Sequence, residues 1–174
     1  MKFGTIRQTA LIDATPLEVY EAYVDPKKHA AFTGQGASGA PRVGEKFTAG
    51  DGYIIAKHLV LEKGERIAQE WKTTEWPEGY PPSLLELTLK AKGKKTDLTM
   101  VHSKVPEEQV DYYADGWRSF YWKPMKEYFS RKRSRPRAPT RGGRGVGRRG
   151  GPSAAGEDGT RSRTSRRRAS QALR

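Results

Sequence analysis

Residues 106–130 read PEEQVDYYADGWRSFYWKPMKEYFS, and no other stretch limits the fold of this chain so tightly. Taken at helical spacing, Val110, Tyr113, Ala114, Trp117, Phe120, Tyr121, Pro124, Met125 and Tyr128 form one wide apolar stripe. Glu107, Glu108 and Asp111 follow Pro106, where carboxylates meet the positive end of a helix dipole. Lys126 and then Arg131, Lys132 and Arg133 stand near the other end, where cations are favoured. Pro124 removes one backbone bond and should bend the last turn and a half. A stripe with so many rings does not lie alone in water. The rest of the chain has to clasp it.

The upstream residues supply the clasp. Residues 5–12 alternate as a strand, with Ile6, Ala10 and Ile12 apolar. Thr15 as N-cap, Pro16 at the first position and Glu18 in the first turn then start a helix. Asp25-Pro26 ends it and opens a second short helix over 27–32. Residues 33–44, rich in Gly, Ala, Ser and Pro, read as a loop. From Glu45 the period changes to two: strands over 46–49, 53–62, 66–74, 85–91 and 96–103, joined by turns at Gly50-Asp51-Gly52, Lys63-Gly64-Glu65 and Lys92-Gly93-Lys94-Lys95. The segment 76–82, with three prolines, cannot be a strand. Strand, two helices, meandering strands and a long helix indicate an α+β domain. A twisted sheet of about six antiparallel strands with one apolar face would wrap the C-terminal helix. At 130 residues such a domain buries roughly two-thirds of its unfolded surface, enough to fold alone.

Charge separates this domain from the C-terminal residues. Residues 1–130 hold 18 basic and 18 acidic side chains, so the net +13 belongs to residues 131–174, with 15 basic and two acidic. Fourteen of those 15 are arginines among almost no apolar residues, a composition expected to be disordered. Arg141 and Arg149 each open an Arg-Gly-Gly element, and residues 161–170 are an arginine-serine run. Arg141, Arg144, Arg148 and Arg149 are the candidates for nonspecific binding of nucleic acid through its phosphates. Arg131-Lys132-Arg133 would serve as a nuclear-localisation patch, and Arg167-Arg168-Ala169-Ser170 fits a basophilic kinase site. Two plainer readings stand beside these: a solvated tail with no partner, or a GC-rich stretch translated out of frame.

With no cysteine there is no disulfide, thiolate metal site or cysteine nucleophile. The first residues lack the apolar run of a signal peptide and no stretch approaches a membrane span, so a soluble cytoplasmic protein is the expectation. His29, His58 and His102 lack metal-site spacing, and no serine stands in a nucleophile motif, so neither metal, cofactor nor catalytic residue is assigned. His58 reads as a solvent-side strand residue and His102 as a polar group in or near a cavity. The segment Gly34-Gln35-Gly36-Ala37-Ser38-Gly39 fits GxGxxG, but it follows a helix and opens none, so a flexible loop is expected there. Trp71, Leu87, Met100, His102, Trp117 and Tyr121 are the candidates for lining a ligand cavity between sheet and helix. Filling the core is the other role open to them.

Several segments carry a resemblance: IDATPLEVYEAYVDP, GEKFTAGDGYI, RIAQEWKTTEWPEG, Ser83-Leu84-Leu85, Thr96-Asp97-Leu98, and HSKVP followed by GWRSFYWKPMKEYF. In this order they closely resemble the C-terminal domain of activators of the heat-shock protein 90 ATPase, a branch of the START-like (SRPBCC) helix-grip proteins. The likeness covers residues 5–130. It implies a helix-grip domain over 1–130 that binds the chaperone and stimulates its ATPase without doing chemistry itself. Full co-chaperones of the family carry a separate N-terminal domain that makes the main chaperone contact, for which these residues leave no room. Single-domain relatives resemble pocket proteins for small hydrophobic ligands, carriers or cyclase- and hydrolase-like enzymes. The expected partners are therefore the chaperone or a small hydrophobic ligand for the domain, and nucleic acid for residues 131–174.

Overall fold

The computed structural model of the chain describes residues 1–135. Strand β1 (Phe3–Ile12) leads into helix α1 (Pro16–Val24) and helix α2 (Pro26–Thr33). Strands β2 (Lys46–Ala49), β3 (Ile54–Glu62), β4 (Arg66–Thr73), β5 (Ser83–Lys92) and β6 (Lys95–Pro106) follow. A 3-10 turn (Glu107–Gln109) then enters a long helical segment made of α3 (Val110–Trp117), a π turn (Arg118–Trp122) and α4 (Lys123–Ser134). The six strands form one antiparallel sheet in the order β1-β6-β5-β4-β3-β2, so the first strand returns beside the last. This is the helix-grip arrangement.

The starts of the two short helices follow from their caps. The Thr15 hydroxyl accepts from the Glu18 N–H, while the Glu18 carboxylate accepts from the Thr15 N–H, a capping box completed by Pro16 in the first turn. Asp25 ends α1 and caps α2, its carboxylate accepting from the Lys27 and Lys28 N–H groups at 2.9 and 3.1 Å. Between α2 and β2, Gly36 is fastened to the β2–β3 hairpin: its N–H donates to Asp51 Oδ1 at 2.7 Å and its carbonyl accepts from the Asp51 N–H at 3.0 Å. Ser38 and Thr48 exchange both backbone bonds at 2.9 Å. The GxGxxG-like segment is thus sewn onto the sheet edge.

Inward residues alternate along each strand, and the helix fills the concave face. Leu85, Leu87 and Leu89 of β5 face it beside Leu98, Met100 and His102 of β6. Burying each apolar side chain of this size contributes roughly 1.5–3 kcal/mol before entropy is counted. From the helix, Tyr113, Trp117, Tyr121, Trp122, Met125 and Phe129 are buried. This set differs from the simple 3.6-residue stripe beyond Trp117. Phe120 is 47% exposed, Pro124 and Tyr128 are half-buried, and Trp122 and Phe129 take their places. The cause is Pro124, which has no N–H for the Phe120 carbonyl and whose ring crowds it. The chain answers with a wider turn in which the Lys123 N–H reaches the Arg118 carbonyl, five residues back. That turn advances every later residue by one position. Pro124 therefore re-phases the stripe rather than merely bending it.

Helix α4 runs on to Ser134, past the boundary at residue 130. Arg133 bonds Asp13 Oδ1 at 3.2 Å and the Lys94 carbonyl at 3.3 Å, tying that last turn to the β1–α1 junction and the β5–β6 hairpin. Arg141, Arg144, Arg148 and Arg149, the two Arg-Gly-Gly elements and the kinase-site sequence lie outside the described residues. No helix among the described residues is long and apolar enough to cross a membrane.

Strand β6 changes phase near its end. Thr5 of β1 faces both Ser103 and Lys104, a bulge in which Lys104 adopts φ 57°. Before it Thr96, Leu98, Met100 and His102 point inward, and after it Val105 does. Opposite, Gly4 sits so close to the helix start that a Cβ would lie 2.6 Å from Val110 Cγ2. A left-handed lysine costs about 1 kcal/mol, and a β-branched residue costs more. Lys104→Gly is expected to hold or raise stability in urea denaturation, by up to about 1 kcal/mol, while Lys104→Val lowers it by at least that much. Equal midpoints for the two variants would show that the bulge carries no backbone strain.

Candidate functional site

All six cavity candidates face the interior and lie together. Leu87 and Met100 are register partners on β5 and β6, and Trp71 is the partner of Ser83 across β4 and β5. The Trp71 ring packs edge-on against His102 at 4.7 Å and lies 5.8 Å from Trp117, which in turn lies 4.6 Å from Tyr121. Trp71 is 3% exposed and Met100 and His102 are fully buried. They form the packed seam between the middle of the sheet and the π turn.

Hydrogen bonds fix the protonation of this seam. The Trp117 indole N–H donates to His102 Nδ1 at 3.1 Å, so the neutral ring carries its proton on Nε2. That proton is directed at Ser83 Oγ, 2.7 Å away, and the Ser83 hydroxyl donates in turn to the Trp71 carbonyl at 2.6 Å. The polarity runs from indole to imidazole to hydroxyl to carbonyl. A base that activates a serine needs the reverse, a free nitrogen lone pair facing the hydroxyl. Ser83 and His102 are neighbours, yet as arranged they hold the sheet to the helix. Burial lowers the His102 pKa to about 3, since a charge there would be desolvated.

A second polar chain, not seen in the sequence, flanks the first. His29 Nδ1 donates to the Tyr23 carbonyl at 2.7 Å, so its Nε2 accepts from the Tyr121 hydroxyl at 3.0 Å. The Tyr23 hydroxyl lies 3.3 Å from Gln69 Oε1, and Gln69 Nε2 donates to His58 Nδ1 at 3.2 Å. His58 is fully buried against Phe47, correcting its assignment to the solvent side. The signal was present: His58 shares the parity of Ile54 and Ala56, both inward. Gln69 likewise stands between inward Ile67 and Trp71. Burial lowers His29 to about 4 against a small opposing pull from the Tyr23 carbonyl, lowers His58, and raises Tyr23 and Tyr121. His58 Nε2 and Trp71 Nε1 are buried with no hydrogen-bond partner among the described residues. No group of acidic, histidine or cysteine side chains among the described residues could hold a metal ion.

These shifts dictate a pH dependence. His29 and His102 are neutral in the fold at values below the ordinary 6.5, so above pH 6.5 folded and unfolded chains bind equal protons there. Below pH 6.5 only the unfolded chain gains them. Stability is then lost at about 1.4 kcal/mol per pH unit for each histidine, down toward about 4 and 3. Urea midpoints should fall steadily between pH 6.5 and 5, and a flat profile there would contradict the buried neutral rings. Trp117→Phe, which leaves Nδ1 of His102 unpaired, should cost about 1–3 kcal/mol beyond the lost packing, measured in the same assay.

Residues 13–130 match the family described as activator of Hsp90 ATPase homolog 1-like protein. The chain is 28% identical over 125 residues to the activator of 90 kDa heat shock protein ATPase homolog 1 of Mus musculus, covering 72% of this chain and 36% of that protein. The Homo sapiens protein of the same name is 27% identical over 125 residues, with the same coverage. This chain thus spans little more than a third of the length of these relatives. Among solved structures, an HSP90 activator from Plasmodium falciparum superposes with a TM-score of 0.61 at 20% identity, covering 68% of this chain and 90% of that one. The Aha1 dimer from Colwellia psychrerythraea gives 0.61 at 18%, covering 71% and 96%. These two show a shared fold. By its matched residues and its helix-grip architecture, this chain belongs to the activator of Hsp90 ATPase homolog 1-like family.

Proposed function

We propose that residues 1–135 act as a non-catalytic binding module whose partner is a heat-shock protein 90 chaperone. The observation that carries this reading is the family match over residues 13–130, covering most of the described residues. The hydrogen-bond direction through His102 and Ser83 supports the non-catalytic part, because it leaves no base facing the Ser83 hydroxyl. The mouse and human relatives are activators of the chaperone's ATPase, and this chain shares only one segment of them. Its effect is therefore expected to be modest. Purified heat-shock protein 90 should hydrolyse ATP a few-fold faster with the full chain in excess and retain it in a pull-down. No stimulation and no retention, with the protein shown to be folded, would overturn the reading.

A second reading rests on the two buried donors without partners, Trp71 Nε1 and His58 Nε2. A small hydrophobic ligand with an acceptor atom, held between helix and sheet, would satisfy one or other of them. Native mass spectrometry of the purified chain tests it. Co-purified mass would favour a carrier, and bare protein would remove its support.

A further inference from the structure

The strand order leaves β1 at an edge of the sheet, with no strand pairing its outer side among the described residues. In an antiparallel ladder every second residue of such a strand turns its N–H and C=O outward. An open groove of about 590 Å³ runs between this edge and the helix, touching Arg7, Gln8 and Thr9 in succession. Consecutive strand residues project to opposite faces, so a groove that touches three in a row lies along the strand's edge rather than on a face. Its far wall is the π turn and the start of α4. Its inner end is closed by Trp122, whose indole donates to Gln8 Oε1 at 2.8 Å.

The rim is basic. Four of the lining residues, Arg7, Arg118, Lys123 and Lys126, are cationic and one, Glu127, is acidic. Arg118 is shared with Asp115 at 3.1 Å, whereas Arg7, Lys123 and Lys126 have no carboxylate partner among the described residues. A second open groove of about 420 Å³ continues past Lys126 and Glu127 to Arg131. Residues 1–130 carry no net charge, so this concentration of cations beside an open strand edge is local. We propose that the β1 edge and its rim form a docking groove for an acidic, extended polypeptide segment. The segment adds as a strand on β1, and its carboxylates meet Arg7, Arg118, Lys123 and Lys126. Main-chain bonds would supply the pairing and the rim would select the charge. This surface is separate from the buried seam and does not depend on the chaperone reading.

The test uses the full chain and a dye-labelled octapeptide alternating Glu and Val, followed by fluorescence anisotropy. Two analogues are N-methylated at the odd or the even residues, which removes backbone donors and leaves the charge unchanged. Residues 131–174 attract all three peptides alike, so the ratio reports strand addition. At least one analogue should bind ten-fold more weakly than the parent. Lys123→Glu with Lys126→Glu should weaken the parent ten-fold, while Lys57→Glu on β3 leaves it unchanged; all three lysines are exposed. The parent should also shift the amide resonances of Arg7, Gln8 and Thr9. Equal binding of the parent and both analogues would overturn the proposal, as would inorganic polyphosphate moving those amides while the peptide does not.

Discussion

The indole of Trp117 is the point on which the rest of the structure depends. It stacks on Trp122 at 5.4 Å with an interplanar angle of 14°, abuts Tyr121, and donates its one proton to His102 in the middle of the sheet. Gln8 secures the same turn from β1: its side-chain N–H donates to the Ala114 carbonyl at 2.9 Å and its carbonyl accepts from Trp122. One side chain thus grips the helix ahead of the π turn and at its last residue, across sequence separations of 106 and 114. Apolar burial brings helix and sheet together without fixing their register. These few directed bonds set it, because each leaves a buried polar atom unpaired if the helix slides.

The same bonds decide what the interior can do chemically. A buried imidazole beside a serine is a familiar beginning for catalysis, and distance alone would suggest it. Direction says otherwise: with Nδ1 occupied by the indole, Nε2 holds a proton and Ser83 receives it. Low pKa values at His29 and His102 follow from the same burial. As arranged, Trp117, His102 and Ser83 join the helix to the sheet. On the outer surface, the cations of the β1 edge stand apart from an otherwise balanced domain.

Much of this was legible in the sequence. Period-two strands, three Gly-centred turns, the Thr15 capping box and the aromatic helix place every element, because each is decided by neighbours within a few residues. The six interior candidates were legible for the same reason, parity and period placing them on inward faces. Three things were not. The stripe beyond Trp117 moves by one residue because Pro124 forces a π turn, and a 3.6-residue template does not contain that response. The bulge at Lys104 reverses the phase of β6 through a contact with β1 a hundred residues away. The His29–Tyr121 and Tyr23–Gln69–His58 bonds join elements far apart in the chain, and nothing local announces them.

Nitrogen-15 shifts of the His102 and His29 rings, followed from pH 7.5 to 5, test most directly that these histidines lock the helix rather than act on a substrate. Both should remain neutral throughout, His102 protonated on Nε2 and His29 on Nδ1. A proton on Nδ1 of His102, or titration of its ring near 6.5, would break the Trp117 bond as described. The Nδ1-protonated tautomer would also turn a free Nε2 lone pair toward Ser83, the base that the structure denies it.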